Sequence, residues 1–217
     1  MPIKIIMADN HAIVMEGIKA VLEKLSKDIA VIGCVSSGKK LLELALKKPA
    51  DVYVLDIAMP ILNGITTAEK LLRQDKNSKI IFMSMYDNES VIEKALRTGA
   101  KGYLIKESAV DEIVKAIHAV NKGDYYLSST ISSFMLSKLV NKSNNEFKTK
   151  NYDKLTLKER EIIQLLVEGM ANKEIARQLV ISINTVHTHR NNIARKLNIH
   201  KQTELARYAF KENIVQL

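Results

Sequence analysis

The chain has 217 residues, of which 47% are apolar and 26% charged, so it is long enough for two folded domains and its composition excludes a disordered chain. No apolar run approaches the roughly 20 residues of a membrane-spanning helix, and the sequence predicts neither a membrane protein nor a secreted one. The net charge of +9 favours a polyanionic partner, and residues 153–217 are the more basic part per residue, with 11 Lys or Arg against 7 Asp or Glu.

The N-terminal part alternates short apolar runs with amphipathic segments. The runs predicted as strands are 3–8, 29–35, 52–55, 80–83 and 102–105, and the segments predicted as helices are 16–25, 38–46, 65–73, 89–97 and 110–120. This alternation predicts a doubly wound, flavodoxin-like α/β domain with a five-stranded parallel sheet. The one cysteine, Cys34, lies in the second run, where we predict that it is buried. A single cysteine cannot form an internal disulfide, which fits the reducing cytoplasm.

The changes in pattern predict the domain organisation. We expect the α/β domain over 1–121 and a linker over 122–152, because the latter is polar and rich in Asn, Lys and Ser. Residues 131–140 within it are apolar enough for one helix. Residues 153–217 have helical periodicity throughout and predict a small all-α domain of four helices.

Capping signals divide this second domain. Thr156 to Glu159 match a capping box at the start of a helix that Gly169 closes. Asn172 and Ser182 are predicted to cap the second and third helices. A fourth helix is predicted over roughly 202–211.

Polar residues follow the predicted strands at their carboxyl ends, where ligands bind in parallel α/β sheets. Asp9 and Asn10 follow the first strand, Asp56 the third, Ser84 the fourth and Lys106 the fifth. Carboxylates suit a hard cation such as Mg²⁺, whereas the ammonium and the hydroxyl suit phosphoryl oxygens. A carboxylate can itself accept a phosphoryl group as an acyl phosphate.

These residues and their neighbours form recognisable motifs. Together they resemble the receiver domain of two-component response regulators over essentially residues 1–120. The residues that carry the resemblance are Asp9, the run Asp56-Ile-Ala-Met-Pro60 with Asn63-Gly64, Ser84, and the stretch 99–106 ending at Lys106.

The resemblance implies a role for each matching residue. Asp56 would take a phosphoryl group from a sensor histidine kinase. Mg²⁺ would be bound by Asp9, Asp56 and the backbone carbonyl of Ala58. Ser84 and Lys106 would contact the phosphoryl oxygens, and Tyr103 would be the aromatic switch residue that turns inward.

Asn10 departs from the family pattern, in which a second acid follows the first strand and ligates the metal. Asparagine can ligate through its carbonyl oxygen but brings no charge, so we expect weaker Mg²⁺ binding. This departure leaves an alternative open, a transcription regulator that is independent of phosphorylation and controlled by a partner protein.

The third predicted helix of the second domain has two different faces. One face is a stripe that we predict to be buried: Val186, His189, Ile193 and Leu197. The opposite side carries His187, Thr188, Asn191 and Arg195, and no acidic residue lies between 183 and 197. Asn can bond adenine, Thr can contact a thymine methyl group, and Arg can bind guanine or phosphate.

The runs 155–161, 168–176 and 181–193 resemble LuxR-type helix-turn-helix domains of the NarL/FixJ class. The resemblance implies double-stranded DNA as a partner and His187, Thr188 and Asn191 as base-reading residues. The implied phosphate contacts are Lys173, Arg190, Arg195 and Lys196. The last helix would serve dimerisation, so that the active protein would be a homodimer.

Together these features predict a DNA-binding transcriptional response regulator that is not a turnover enzyme. A phosphatase or phosphotransferase with an aspartyl-phosphate intermediate would use the same residue types. The attached DNA-binding domain argues against that enzyme.

Overall fold

The computed structural model describes residues 1–85, 89–141 and 155–215, with the side chains of Phe134 and of 137–141 excepted. The chain divides into two compact units, Met1–Asn145 and Glu146–Leu217. None of the helices in the described ranges combines the length and the apolar composition of a bilayer-crossing segment.

The first unit is an α/β fold. Its elements in chain order are β1 (Ile3–Ala8), α1 (Ala12–Leu25), β2 (Ile29–Val35), α2 (Gly38–Lys47), β3 (Val52–Asp56), α3 (Gly64–Gln74), β4 (Ile80–Ser84), α4 (Glu89–Arg97), β5 (Gly102–Ile105), α5 (Ala109–Lys122), β6 (Tyr126–Leu127) and α6 (Ser129–Asn141). The sheet has the strand order β2-β1-β3-β4-β5-β6, and all of its pairs are parallel.

The sheet therefore has six strands, and the prediction of five was wrong. The sixth is the two-residue strand β6, formed where the backbone N–H of Tyr126 donates to the carbonyl of Lys101 at 2.8 Å. The N–H of Ser128 then donates to the carbonyl of Tyr103 at 3.0 Å. Two residues inside a polar segment have no periodicity, so the pattern contained no signal for this strand.

Helices cover both faces of the sheet. Along β1, Ile5 and Met7 pack in one core with α1 and α5, whereas Ile6 and Ala8 pack in the other with α2, α3 and α4. Alternate residues of one strand thus enter opposite cores, as the pleat requires. Cys34 is exposed, and the prediction that it is buried was wrong, because β2 is an edge strand of the sheet.

The second unit consists of helices in its described part: α7 (Leu157–Val167), α8 (Asn172–Leu179), α9 (Ile183–Leu197) and α10 (Gln202–Lys211). Thr156 and Glu159 form the predicted capping box, and Gly169 follows α7 with a φ of +91°.

Two of these helix starts differ in their caps. Asn172 is the first residue of α8 and not its cap, since Ala171 precedes the helix and its N–H donates to the Glu174 carboxylate at 2.7 Å. The hydroxyl of Ser182 caps α9 by accepting from the Thr185 N–H at 3.0 Å.

Candidate functional site

Three charged residues meet at the carboxyl edge of the sheet. Asp9 directly follows β1, Asp56 ends β3, and Lys106 directly follows β5. The Lys106 ammonium lies 2.7 Å from Asp9 Oδ2 and 2.9 Å from Asp56 Oδ2, and these side chains are at most 4% exposed. Two buried carboxylates thus share one buried cation, as the positions at the strand ends predicted.

The loop after β3 holds Asp56 in place through its backbone. The N–H of Ala58 donates to Asp56 Oδ1 at 3.2 Å, and the N–H of Gly64 donates to the carbonyl of Ile57 at 3.0 Å. A Cβ atom at Gly64 would lie 2.1 Å from the Asp56 carbonyl oxygen, so only glycine allows α3 to begin this close to the strand.

The surroundings of Asp56 shift its acidity. Burial raises the pKa of its carboxyl group above the ordinary value, Lys106 opposes that rise, and the neighbouring Asp9 carboxylate adds to it. Cations brought close to Asp56 therefore stabilise its ionised form.

The residues at this edge fit a divalent cation. Apart from the Lys106 ammonium, Asp9 Oδ2 and Asp56 Oδ2 have no hydrogen-bond donor among the described residues, and both atoms are buried. Buried carboxylate oxygens with free acceptor capacity are ligands that Mg²⁺ prefers. The loop residue Ala58 stands two positions after Asp56, and the Asn10 side chain is exposed.

Ser84 and Tyr103 lie on the neighbouring strands β4 and β5, and neither is exposed to solvent. The Lys106 N–H donates to the Ser84 carbonyl at 2.8 Å, which joins the ends of these strands. Tyr103 pairs in register with Phe82 of β4 and belongs to the core packed by α2, α3 and α4, so its ring faces inward.

His11 also belongs to this cluster, and the sequence analysis missed it. Its imidazole Nδ1 lies 2.9 Å from Asp9 Oδ1 and 3.9 Å from Asp56 Oδ2, and its backbone N–H donates to Asp9 Oδ1 at 2.8 Å. One ligand atom from each of the three residues lies within 4.8 Å of the others. The available signal was a histidine two residues after a strand-end aspartate.

The second unit presents a polar face on α9. Val186 and Ile193 are buried, whereas the predicted base-reading residues His187, Thr188 and Asn191 are exposed. Of the predicted phosphate contacts, three are exposed: Lys173 on α8, and Arg190 and Arg195 on α9.

Asn172, which the sequence analysis considered only as a cap, connects two residues of this face. Its Oδ1 accepts a hydrogen bond from Arg190 Nη1 at 2.7 Å, and its Nδ2 lies 3.4 Å from His187 Nε2. The side chain at the start of α8 therefore restrains two residues of α9.

Lys196 has an ion-pair partner within the second unit. Its ammonium lies 2.7 Å from Glu159 Oε2, and the Glu159 side chain is only 3% exposed. Burial alone would raise the pKa of Glu159, but hydrogen bonds from Lys196 and from the Thr156 backbone together lower it below the ordinary value of 4.5. The charge of Lys196 is thus balanced inside the domain.

Comparisons with known proteins identify a family for each of the two units. Residues 5–118 match the family described as response regulator receiver domain, and residues 153–209 match the bacterial regulatory proteins of the luxR family. The oxygen regulatory protein NreC of Staphylococcus carnosus is 31% identical over 98% of this chain and 99% of that protein. The transcriptional regulatory protein LiaR of Bacillus subtilis is 35% identical over the same shares.

Solved structures give the same result. A structure of the RcsB response regulator from Salmonella typhimurium covers 97% of this chain and 98% of its own, with 27% identity and a TM-score of 0.63. A structure of RcsB in complex with DNA covers 98% and 99%, with 26% identity and a TM-score of 0.60. The chain therefore belongs to the response regulators of the NarL/FixJ class, which join a receiver domain to a LuxR-type DNA-binding domain.

Proposed function

We propose that Asp56 accepts a phosphoryl group from a sensor histidine kinase and that this event controls the binding of double-stranded DNA by the second domain. The observation that carries the proposal is the buried cluster in which the Lys106 ammonium contacts Asp9 and Asp56 at 2.7 and 2.9 Å. In this cluster the positive charge of Lys106 lies beside the acceptor Asp56, where it would stabilise the negative charge of an incoming phosphoryl group.

The transfer step follows from these groups. A carboxylate oxygen of Asp56 bonds to phosphorus while the bond between phosphorus and the donor's imidazole nitrogen breaks. The electron pair stays on that nitrogen, which takes up a proton. Lys106 lies within reach of the incoming oxygens, and Ser84 ends the adjacent strand. Asp9, Asp56 and the Ala58 carbonyl would hold Mg²⁺, and its charge would offset the repulsion between carboxylate and phosphoryl oxygens.

The change would spread through β4 and β5. Ser84 and Lys106 are joined by a backbone hydrogen bond. Tyr103 lies on β5, the strand that ends directly before Lys106. If phosphoryl oxygens draw Ser84 and Lys106 towards Asp56, both strand ends move together, and the buried Tyr103 ring fixes the new arrangement. The active protein would then bind DNA as a homodimer.

On the DNA side, His187, Thr188 and Asn191 would read base edges in the major groove. Lys173, Arg190 and Arg195 would contact phosphates, which the exposure of all three supports. We assign Lys196 to the stability of the domain, since its ammonium is paired with the buried Glu159 carboxylate.

Phosphorylation is tested with the full-length protein and acetyl phosphate in the presence of Mg²⁺. Intact-mass measurement should show one added phosphoryl group, about 80 Da, on the wild type and none on Asp56→Asn. Equal labelling of both proteins would place the acceptor elsewhere.

DNA reading is tested by binding isotherms at several salt concentrations on a selected site and on random duplex. Asn191→Ala should weaken binding to the preferred site by about 1 to 3 kcal/mol and leave random duplex nearly unaffected. Lys173→Ala should weaken both equally and lower the salt slope by about one unit. Undiminished sequence preference in Asn191→Ala would contradict the assignment of this face.

One observation favours a second function, that of a regulator controlled by a partner protein without phosphorylation. Asn10 is uncharged and exposed where the family has a metal-ligating acid. Absence of labelling of the wild type, together with unchanged DNA binding after acetyl phosphate treatment, would favour it.

A further inference from the structure

We propose that Asn172 is a positioning residue for DNA recognition: its carboxamide links Arg190 to His187 and thereby sets which ring nitrogen of His187 carries the hydrogen. The proposal rests on the proposed function, since it concerns how the face of α9 that would contact DNA is arranged before binding.

The two partners of Asn172 are neighbours on one face of α9. Arg190 follows His187 by three residues, which is about one helical turn, so their side chains lie next to each other. Asn172 belongs to α8 and is 15 and 18 residues away from them in sequence. The two contacts of one carboxamide thus tie the start of α8 to this face within the second unit.

Arg190 determines which way the carboxamide points. A guanidinium group has only hydrogen-bond donors, so the atom of Asn172 beside it must be the oxygen. The distance of 2.7 Å from Arg190 Nη1 to Asn172 Oδ1 is that of a charge-assisted hydrogen bond. The amide nitrogen of Asn172 is therefore left to face the other partner.

This orientation sets the tautomer of His187. Asn172 Nδ2 can only donate, and it lies 3.4 Å from His187 Nε2, so Nε2 must accept and can carry no hydrogen. In a neutral imidazole the hydrogen is then on Nδ1. A histidine side chain in water prefers the opposite tautomer, with the hydrogen on Nε2. The direction of hydrogen bonding is thus passed from Arg190 through Asn172 to His187.

The consequence for DNA is a face that is arranged in advance. His187 and Arg190 are exposed, whereas Asn172 is half-buried, so the two outer side chains are held by a more enclosed one. A side chain that is ordered before association spares part of the ordering cost of binding. With Nε2 occupied, His187 would offer the Nδ1 hydrogen, which suits acceptors such as guanine O6 and thymine O4.

NMR spectroscopy of the imidazole nitrogens tests the tautomer directly, without DNA. The full-length protein is labelled with ¹⁵N-histidine and measured at alkaline pH, where ordinary histidine side chains are neutral. Correlation of the ring nitrogens with the ring carbon-bound protons identifies the nitrogen that carries the hydrogen, and His187→Gln assigns the resonances. In the wild type, the hydrogen of His187 should be mainly on Nδ1.

Two variants of Asn172 break the link in different ways. Asn172→Ala removes both contacts, and Asn172→Asp can still accept from Arg190 but can no longer donate. In both variants the hydrogen of His187 should move mainly to Nε2. Gln178→Ala is the matched control, because it removes a carboxamide from the same helix that takes no part in these contacts, and it should keep the Nδ1 form. Circular dichroism of each variant shows that it is folded.

Binding isotherms test the role in DNA recognition. On random duplex, Asn172→Ala should weaken binding about two- to tenfold, because Arg190 must then be ordered on association. The salt slope should stay at the wild-type value, since the charge of Arg190 remains, whereas Arg190→Met should lower it by about one unit. In an Arg190→Met background, Asn172→Ala should have no further effect on random duplex. On a selected site its loss should be larger, because the arrangement of His187 is lost as well.

The proposal is overturned if wild-type His187 carries its hydrogen mainly on Nε2, or if either Asn172 variant keeps the Nδ1 form. It is also overturned if Asn172→Ala weakens binding to random duplex equally with and without Arg190. The proposed function fails separately. A wild type with the expected tautomer that binds neither the selected site nor random duplex would refute DNA recognition by α9, while the hydrogen-bond order of these three side chains would stand.

Discussion

Replacing Lys106 with methionine removes the ammonium group that contacts both buried carboxylates. The side chains of Asp9 and Asp56 are each 1% exposed, and that of Lys106 is 4% exposed. Methionine keeps much of the length and volume of the side chain, so the substitution changes mainly the charge. The variant should therefore report what the ammonium contributes to the stability of the receiver domain.

Removing one partner of a buried ion pair costs about 3 to 5 kcal/mol, and this low exposure requires no reduction for solvent screening. For a unit of this size, each kcal/mol lowers Tm by about 4 °C, so Lys106→Met should lower the receiver's Tm by about 12 to 20 °C near neutral pH.

The loss should depend on pH. The pKa of Asp56 is already raised in the folded state by burial, and loss of the ammonium raises it further. A group whose folded pKa is raised favours folding at low pH and loses that contribution as the pH rises through the folded pKa. The deficit of Lys106→Met should therefore shrink as the pH falls towards that pKa.

Differential scanning calorimetry of the full-length chain, with chelator present, resolves the question, because the transition of the second domain serves as an internal reference. Lys115→Met, on the exposed surface of α5, should change Tm little. In an Asp56→Asn background the effect of Lys106→Met should fall clearly, since only one carboxylate remains. A loss that is below about 1 kcal/mol, or equal in both backgrounds, would refute the reasoning.

Three further predictions concern other residues. Asn10→Asp should tighten Mg²⁺ binding by about an order of magnitude or more by adding a charge near the metal, and an unchanged calorimetric affinity would mean that position 10 does not reach the site. Val180 has a φ of +54° and is 88% exposed, so Val180→Asn should stabilise the second domain by about 1 kcal/mol, and an unchanged or lower Tm would contradict strain at this turn. The lowered pKa of Glu159 contributes stability above pH 4.5 that is lost as the pH falls through the folded value. Lys196→Met should therefore lower Tm at neutral pH and have less effect in acid, and an equal loss at both would assign the effect to packing.

The charged cluster could be predicted because it depends on topology alone. In a parallel sheet the carboxyl ends of the strands share one edge, so Asp9, Asp56 and Lys106 had to converge once the strands were recognised. The helices of the second unit were predictable for a similar reason, since capping signals such as Ser182 act over three residues.

Other features depend on geometry that the sequence pattern does not contain. His11 reaches Asp9 only because the chain turns sharply between β1 and α1, and a pattern of apolar residues does not describe that turn. Cys34 is exposed because β2 is at the edge of the sheet, whereas alternation of strands and helices does not determine strand order. Lys196 follows the exposed polar residues of α9 in sequence, but its long side chain turns to Glu159.

The sixth strand changes what a minimal receiver would be. Tyr126 and Ser128 bond to the carbonyls of Lys101 and Tyr103, so the segment that follows α5 shields the outer edge of β5. A protein cut after Lys122 would leave those two carbonyls without backbone donors. An open strand edge of this kind is a template for pairing with another chain. Such a shortened receiver should therefore associate edge to edge at high concentration, and this artificial dimer would be unrelated to any dimer formed by the full-length protein.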